Sequence, residues 1–370
     1  MVNLFDYISW RGDLEFDQVP FNPVDNLIFS QLSYLVMDGI VPEPDRQGSV
    51  SLEEVARRTA KIDVKSSALK DITVTNANSV AGAIKNASRF KNCELFGYVN
   101  RTVLSEEIQF SAFCAIIGKN SSSKKMLVVF RGTDTSLAGW MEDFNMTFIN
   151  SVPSQKESVL YLEKMAASFP YPLIVAGHSK GGNLAIYAST FCDKAVQNRI
   201  TDVYSNDAPG FHREVIESDG YKTIRGRIRA FVPQSSFVGM LFKHGVPPTV
   251  VKSSAIGFLQ HDICSWEVMG GNLAGSELTP HSRFVNNLVS EWVEKIGEER
   301  WQKVIEALYK ILMSTNATSL LELGTDWRKA ASVMNGIKNI DGPTKKIIFH
   351  IAAEFYKIAG KSIIGQRKKK

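Results

Sequence analysis

A serine flanked by glycines carries the clearest chemical signal in this sequence. Ser179 stands in the run Gly177-His178-Ser179-Lys180-Gly181-Gly182, after the apolar residues 173–176 and before the helix-forming residues 183–188. A strand that turns directly into a helix leaves no room for side chains at the crossing, so glycine is needed two positions either side of the serine. The hydroxyl is then exposed on a strained turn, and the helix N-terminus faces any oxyanion formed there. The pattern predicts a nucleophilic Ser179; a Gly-rich structural turn is the alternative.

A second segment strengthens the nucleophile hypothesis. The apolar run 125–130 reads as a buried strand and leads into Arg131-Gly132-Thr133-Asp134, with Trp140, Glu142, Asp143 and Phe144 downstream. Together with the glycine-flanked serine, this segment resembles the class 3 (fungal-type) lipase family of α/β-hydrolases, over about residues 95–265. The wider chain is similar to an uncharacterised bacterial group of lipase-like proteins of unknown substrate. The runs that carry this second resemblance are 7–13 (YISWRGD), 206–211 (NDAPGF) and 260–262 (QHD).

The lipase resemblance implies an oxyanion hole at two backbone amides. In that family the residue in the place of Thr133 lies beside the oxyanion hole, and its N–H acts with that of the residue after the nucleophile, here Lys180. A simple turn after a strand is the alternative interpretation of Thr133. The Lys180 side chain lies on the first turn of a helix and is expected to be solvated.

A serine nucleophile needs a base, and the chain offers six histidines. The resemblance implies the chain order serine, acid, histidine. His178 adjoins Ser179 and cannot face it, His212 and His244 precede the last predicted strand, and His350 lies far into the C-terminal region. His281 looks like a helix entry. His261, in a loop just beyond the last strand, is therefore the predicted base; the alternative is a loop residue that bonds backbone near Trp266.

At the acid of the predicted triad, the sequence departs from the lipase pattern. Lipases of this class carry Asp after the strand equivalent to 228–232, where this chain reads Pro233-Gln234-Ser235-Ser236 without a carboxylate. Asp207 follows the preceding strand at the same edge of the sheet and could reach a histidine from there. Capping of the turn at Pro209–Gly210 explains Asp207 equally well. Three further carboxylates, Asp134, Asp143 and Asp262, are expected to anchor loops.

The pattern of apolar runs predicts an α/β fold with an appended helical region. Residues 1–94 form a loop and helix extension, with a helix capped by Asp25, one starting at Ser51 and one over 80–90. Strand–helix alternation over residues 95–273 predicts an α/β-hydrolase-like core, a mostly parallel sheet with helices on both faces. Its predicted strands are 96–100, 110–117, 126–130, 173–176, 202–205, 228–232 and 249–252. Residues 274–365 read as helices only, at 281–296, 298–313, 318–334 and 343–362, before a basic tail, 366–370.

Composition favours an ordinary soluble enzyme. The charged fraction is 22% and the hydrophobic fraction 44%, both typical of globular proteins. The start lacks a signal peptide pattern, no apolar stretch approaches ~20 residues, and the four cysteines have no metal or disulfide spacing. We therefore predict a cytoplasmic protein that uses no metal or other cofactor. The net positive charge belongs to the C-terminus and not to the predicted catalytic region, and we predict no nucleic-acid partner.

Three functions follow from these residues. The first is a serine hydrolase that cleaves a small-molecule acyl ester, thioester or amide; the second is acyl transfer by the same residues. The third is an inactive lipid- or protein-binding module, for which the missing acid is the best argument. Residues 344–370 carry eight basic residues against one acidic residue. The predicted helix 343–362 in this region either packs on its neighbours with a solvated basic end or lies on an anionic membrane surface.

Overall fold

The computed structural model describes residues 2–62, 72–103, 108–133, 151–280 and the single positions 142, 146, 282, 342, 345 and 346. The predicted C-terminal helices and the basic tail lie outside the described residues, apart from these isolated positions. The same holds for Asp134, Trp140, Asp143, His281 and His350. The helices of the described part are α1 (Leu4–Arg11), α2 (Pro23–Leu32), α3 (Leu52–Thr59), α4 (Ile72–Ile84), α5 (Ser88–Lys91), α6 (Pro153–Ser168), α7 (Lys180–Phe191), α8 (Lys194–Gln197), α9 (Arg213–Glu217) and α10 (Asp219–Ile224).

Within the described ranges, the principal sheet has eight strands that lie side by side in chain order. Strands β1 to β4 pair antiparallel, whereas β4 to β8 pair parallel. The strands are β1 (Val50–Ser51), β2 (Glu94–Val103), β3 (Ile108–Ile117), β4 (Lys125–Phe130), β5 (Leu173–His178), β6 (Ile200–Asn206), β7 (Ile228–Pro233) and β8 (Thr249–Val251), followed by a small hairpin of β9 (Val268–Met269) and β10 (Asn272–Leu273). The predicted strands all coincide with observed ones to within a few residues, and the predicted α/β class is confirmed.

Helices cover both faces of the sheet, but by two different routes. On β4, Met126 and Val128 face one hydrophobic cluster while Leu127 and Val129 face the other, as the period of two in a strand requires. The first cluster includes side chains of α6, α7, α9 and α10, the helices that connect the parallel strands. The second cluster is filled by the N-terminal helices α1 to α5. Strand–helix alternation therefore supplies only one face, and the N-terminal residues cover the other.

Two predicted helices of the N-terminal region begin or end at different residues from those expected. Asn22, not Asp25, is the N-cap of α2; Asp25 is the third helical residue and its carboxylate accepts from the Asn22 amide, which completes a capping box. The expected helix over 80–90 is two helices, α4 and α5. The extended backbone of Ala87 separates them, and the Arg89 amide then donates to the Gly12 carbonyl. The helix predicted to start at Ser51 is confirmed, with the Ser51 hydroxyl accepting from the Glu54 amide.

A buried ion pair holds the N-terminal helices together. Arg89 and Asp25 have fully buried side chains and form two hydrogen bonds, of 2.8 and 2.6 Å. The same guanidinium donates to three backbone carbonyls in the connection between α1 and α2, those of Leu14, Val19 and Pro20. All of these acceptors are satisfied by the planar fork of one arginine, which a lysine could not reproduce.

We expect Arg89→Met to lower the free energy of unfolding by about 3–5 kcal/mol, because Asp25 would keep a buried charge without its partner. Urea denaturation followed by circular dichroism measures the change. Arg57→Met is the matched control, since Arg57 pairs with Glu54 at the surface, and its unfolding midpoint should stay close to that of the wild type. Equal shifts in the two variants would contradict the cost expected for leaving Asp25 buried without its partner.

Candidate active site

Ser179 occupies a sharp turn between β5 and α7. The strand ends at His178 and the helix begins at Lys180, which leaves Ser179 alone at the crossing with φ 56° and ψ −132°. A Cβ atom at Gly177 would overlap the backbone of Gly181, and one at Gly181 would overlap the carbonyl of Phe130. Only glycine fits at either position, as the spacing of the motif predicted.

The segment that ends β4 passes directly against the nucleophile. A Cβ atom at Gly132 would overlap the Tyr34 hydroxyl and the His178 carbonyl, and it would lie 3.0 Å from Cβ of Ser179. Thr133 follows Gly132, so its backbone is one residue from this contact. Lys180 is the first residue of α7, where backbone N–H groups have no partner within the helix. Of the two amides predicted for an oxyanion hole, that of Lys180 therefore follows Ser179 in the chain. That of Thr133 follows Gly132, which packs against Ser179.

Asp207 and His261 form a hydrogen-bonded pair at the same edge of the sheet. The imidazole Nδ1 donates to Oδ2 of Asp207 at 2.7 Å. Asp207 comes directly after β6 with φ 44°, and its side chain is 1% exposed against 22% for that of His261. The buried carboxylate fixes the orientation and the tautomer of the His261 ring. Part of this ring, which belongs to the predicted base, is exposed to solvent.

In the segment after β7, where the lipase resemblance implies an acid, two groups instead donate hydrogen bonds to Asp207. Oδ1 of Asp207 accepts from the Ser236 hydroxyl at 2.5 Å and from the Gly239 amide at 3.1 Å. Ser236 lies just after β7, in the run that lacks a carboxylate. At the turn that was the alternative role for Asp207, the Gly210 amide donates to the Leu241 carbonyl. The hydrogen-bond partners described for this carboxylate are His261, Ser236 and Gly239.

His178 contacts the base from the strand of the nucleophile, a contact that the sequence did not predict. Its Nε2 lies 2.8 Å from the His261 carbonyl and its Nδ1 lies 2.9 Å from the Tyr34 hydroxyl. The two imidazole rings are 4.5 Å apart between centroids. Burial lowers the pKa of His178 well below its ordinary value, and the proximity of His261 adds to this effect. His178 is therefore neutral at physiological pH.

The loop of His261 is anchored on both sides of the histidine. The Asp262 carboxylate accepts from the Cys264 amide at 3.0 Å and from the Asn76 side chain at 2.9 Å, so it anchors the loop as expected. On the other side, the Trp266 indole donates to the Gln260 carbonyl at 2.8 Å. Burial raises the pKa of Asp262 above its ordinary value, and the hydrogen bonds that it accepts oppose this rise.

The expectation of a solvated Lys180 side chain is wrong. Its ammonium is buried and donates to Glu142 at 2.9 Å and to two oxygen atoms of Gln109 at 2.8 Å. Glu142 also accepts from the backbone amides of Gln109, at 3.1 Å, and of Ser154, at 2.7 Å. A side chain on the first helical turn points back past the helix N-terminus, which here is the interior. Glu142 compensates a cation that the helix dipole disfavours at this end.

The remaining described histidines bond to backbone carbonyls near the site. His212 Nε2 lies 3.1 Å from the Met146 carbonyl, and His244 Nε2 lies 2.7 Å from the Gly239 carbonyl. Burial lowers the pKa of His244.

Among the described residues, no group of three or more His, Cys, Asp or Glu could hold a metal ion. No helix of the described ranges is long and apolar enough to cross a membrane, and all four cysteines are free and buried.

Solved structures similar to this chain are lipases, at low identity. A deletion mutant of the Rhizomucor miehei lipase propeptide complex is 15% identical and has a TM-score of 0.35; the match covers 62% of this chain and 64% of that one. A fungal lipase–inhibitor complex is 14% identical, over 62% of this chain and 77% of that one, with a TM-score of 0.36. An extracellular lipase from Serratia marcescens is 14% identical, over 63% of this chain and 44% of that one, with a TM-score of 0.34. The chain thus spans less than two thirds of the first of these structures.

The sequence family gives the stronger comparison. No curated protein matches this chain by sequence. The sequence profile of the family described as Mbeg1-like matches residues 84–310. This range is more than half of the chain, and it contains Ser179, Asp207, His261 and the segment that ends β4. The protein therefore belongs to the Mbeg1-like family, a lipase-like family of α/β-hydrolases.

Proposed function

We propose that this protein is a serine hydrolase that cleaves an acyl ester, thioester or amide. Ser179 is the nucleophile, His261 the base and Asp207 the residue that orients the base. The observation that carries the proposal is the 2.7 Å bond from the His261 ring to a buried carboxylate, at the sheet edge where Ser179 occupies a strained turn. Strained backbone of this kind is characteristic of functional sites.

The geometry supports a two-step acyl transfer to water. Because Nδ1 of His261 carries the proton donated to Asp207, the lone pair of the neutral ring is on Nε2. This nitrogen takes the hydroxyl proton of Ser179 as Oγ attacks the substrate carbonyl, and then gives the proton to the leaving group. Water attacks the acyl-enzyme with the same base, which returns the proton to Ser179 and releases the acid.

The oxyanion of each tetrahedral intermediate needs donors that are already in place. We assign these donors to the backbone amides of Thr133 and Lys180. The Lys180 side chain is engaged with Glu142 and Gln109, so its contribution at the oxyanion is the backbone N–H. The N-terminus of α7 adds a favourable partial positive charge.

The argument for an inactive binding module rested on the absence of an acid after β7. Asp207 reaches His261 from the neighbouring strand, which removes that argument and favours an enzyme. Acyl transfer to an alcohol or amine would use the same residues in the first step. We also propose a cytoplasmic location, which the four free thiols support. Membrane contact through the basic C-terminus stays a prediction, because those residues lie outside the described ranges.

We expect Ser179→Ala to abolish labelling by a fluorophosphonate and to lower p-nitrophenyl ester turnover on the order of 10⁶-fold, as loss of a serine nucleophile does. Intact-protein mass spectrometry and initial rates measure the two effects. The control is Ser79→Ala, which removes an exposed hydroxyl from α4 and should label and react like the wild type. Full turnover in Ser179→Ala would refute the serine mechanism.

We expect Asp207→Asn to lower kcat about 10⁴-fold, because an amide favours the wrong tautomer of His261. The double variant Asp207→Asn, Ser236→Asp should recover part of this rate, since the Ser236 oxygen lies 2.5 Å from the native carboxylate. Steady-state kinetics of both variants and of Ser236→Asp alone test the assignment. A normal rate in Asp207→Asn, with lowered thermal stability, would return Asp207 to a structural role.

A further inference from the structure

The N-terminal segment, described over residues 2–62 and 72–91, bonds to a sequence neighbour of each proposed catalytic residue. Four of its polar contacts run from α2, from Tyr34 just after α2 and from α4 to the sheet edge where the site lies. One neighbour precedes the nucleophile, one precedes the acid and one follows the base. The contacts are Tyr34 with His178, Asn26 and Ser30 with Asn206, and Asn76 with Asp262.

The first contact joins the nucleophile turn to the base. The His261 carbonyl can only accept, so Nε2 of His178 carries the proton and donates to it at 2.8 Å. In the neutral ring Nδ1 then accepts, and the Tyr34 hydroxyl is its donor at 2.9 Å. Tyr34 therefore fixes the tautomer in which His178 holds the backbone of His261. The same hydroxyl packs against Gly132, beside the nucleophile.

The second contact joins the nucleophile turn to the acid. The side-chain amides of Asn26 and Asn206 bond reciprocally, at 2.9 and 3.1 Å, and Ser30 accepts from Asn206 at 3.1 Å. Asn206 also donates from its side chain to the Gly177 carbonyl at 3.0 Å, and its own carbonyl accepts from the Ser179 amide at 2.9 Å. α2 thus holds the last residue before Asp207 against the turn that carries Ser179.

The third contact holds the loop of the base. Asn76 of α4 donates to one oxygen of Asp262 at 2.9 Å, while the other oxygen accepts from the Cys264 amide. A half-buried carboxylate left without such a donor costs free energy. The loop would then be expected to rearrange, and His261 precedes Asp262 directly.

We propose that Asn26, Tyr34 and Asn76 of the N-terminal segment are positioning residues that fix Ser179, Asp207 and His261 relative to one another. This inference rests on the proposed function. Apolar packing of α1 to α5 already covers the sheet face, and a buried hydrogen bond adds only a modest net stability to it. Catalysis, in contrast, depends steeply on the geometry that these bonds restrain, since a misplacement of about 1 Å can cost about 10²-fold in rate.

The test compares Tyr34→Phe with Tyr7→Phe. Each variant removes one buried hydroxyl from the N-terminal segment, but the described bonds of the Tyr7 hydroxyl are to Asp25 and Asn22 and not to a sequence neighbour of a proposed catalytic residue. We expect Tyr34→Phe to lower kcat about 10- to 100-fold with KM unchanged, whereas Tyr7→Phe should keep the wild-type kcat. His178→Gln, which places an amide near the former Nε2, should retain more activity than His178→Ala.

A second pair covers the case in which Tyr34→Phe does not fold. Asn76→Ala removes the donor to Asp262, and Asn78→Ala removes an amide from the same helix that bonds only to the Val74 carbonyl among the described contacts. We expect a loss of kcat in the first and none in the second. Equal kcat values within both pairs would overturn the positioning role.

A readout without turnover separates this proposal from the proposed function. The proton that His261 Nδ1 donates to Asp207 is observable as a low-field NMR resonance, which Asp207→Asn identifies. We expect Tyr34→Phe and Asn76→Ala to shift or broaden it and their controls to leave it unchanged. If the wild type neither labels nor turns over while these shifts occur, the hydrolase proposal fails, and what stands is only that Tyr34 and Asn76 restrain the His261–Asp207 pair. An unchanged resonance in both variants would refute the positioning role whatever the activity.

Discussion

The handedness of the crossovers between parallel strands is the constraint on which the rest of this structure depends. Strands β4 to β8 lie side by side in chain order, and a connection between parallel strands is almost always right-handed. When every crossover moves in the same direction along the sheet, all connecting helices lie on one face. The helices α6, α7, α9 and α10 do so. The other face of a sheet that is apolar on both sides must then be covered by residues from elsewhere. The N-terminal helices supply this cover.

The helices on the two faces of the sheet meet at its carboxyl edge, and the proposed site lies between these two groups of helices. α7 begins at the turn of Ser179 on one side, while Tyr34 and Asn26 approach the same turn from the other. The positive φ of Ser179 costs about 1–3 kcal/mol, which the surrounding contacts must offset. The tight crossing at Gly177 and the bond from the Ser179 amide to the Asn206 carbonyl hold it in place.

On each face of the sheet, a buried ion pair connects a helix to other segments of the chain. Arg89 and Asp25 tie the N-terminal helices and their connection together, and Lys180 and Glu142 tie the start of α7 to β3 and α6. In each pair every charged group has further hydrogen-bond partners, which is the condition under which a buried pair does not destabilise the fold. Both pairs join segments far apart in the chain. Their geometry therefore specifies one arrangement of those segments, more than it adds net stability.

The sequence by itself determined the local structure and much of the candidate site. Apolar runs gave the strands, because burial on both faces of a parallel sheet demands them. The glycines around Ser179 predicted the turn, because only a strand–helix crossing needs them there, and the position of Asp207 after β6 allowed its contact with His261. Tertiary structure alone decided which face each helix covers, that Lys180 is buried with Glu142, and that Tyr34, Asn26 and Asn76 reach the site. Local patterns encode backbone conformation and burial, whereas these contacts join residues 38 to 186 positions apart, and only the strand order and the packing of the N-terminal helices bring such residues together.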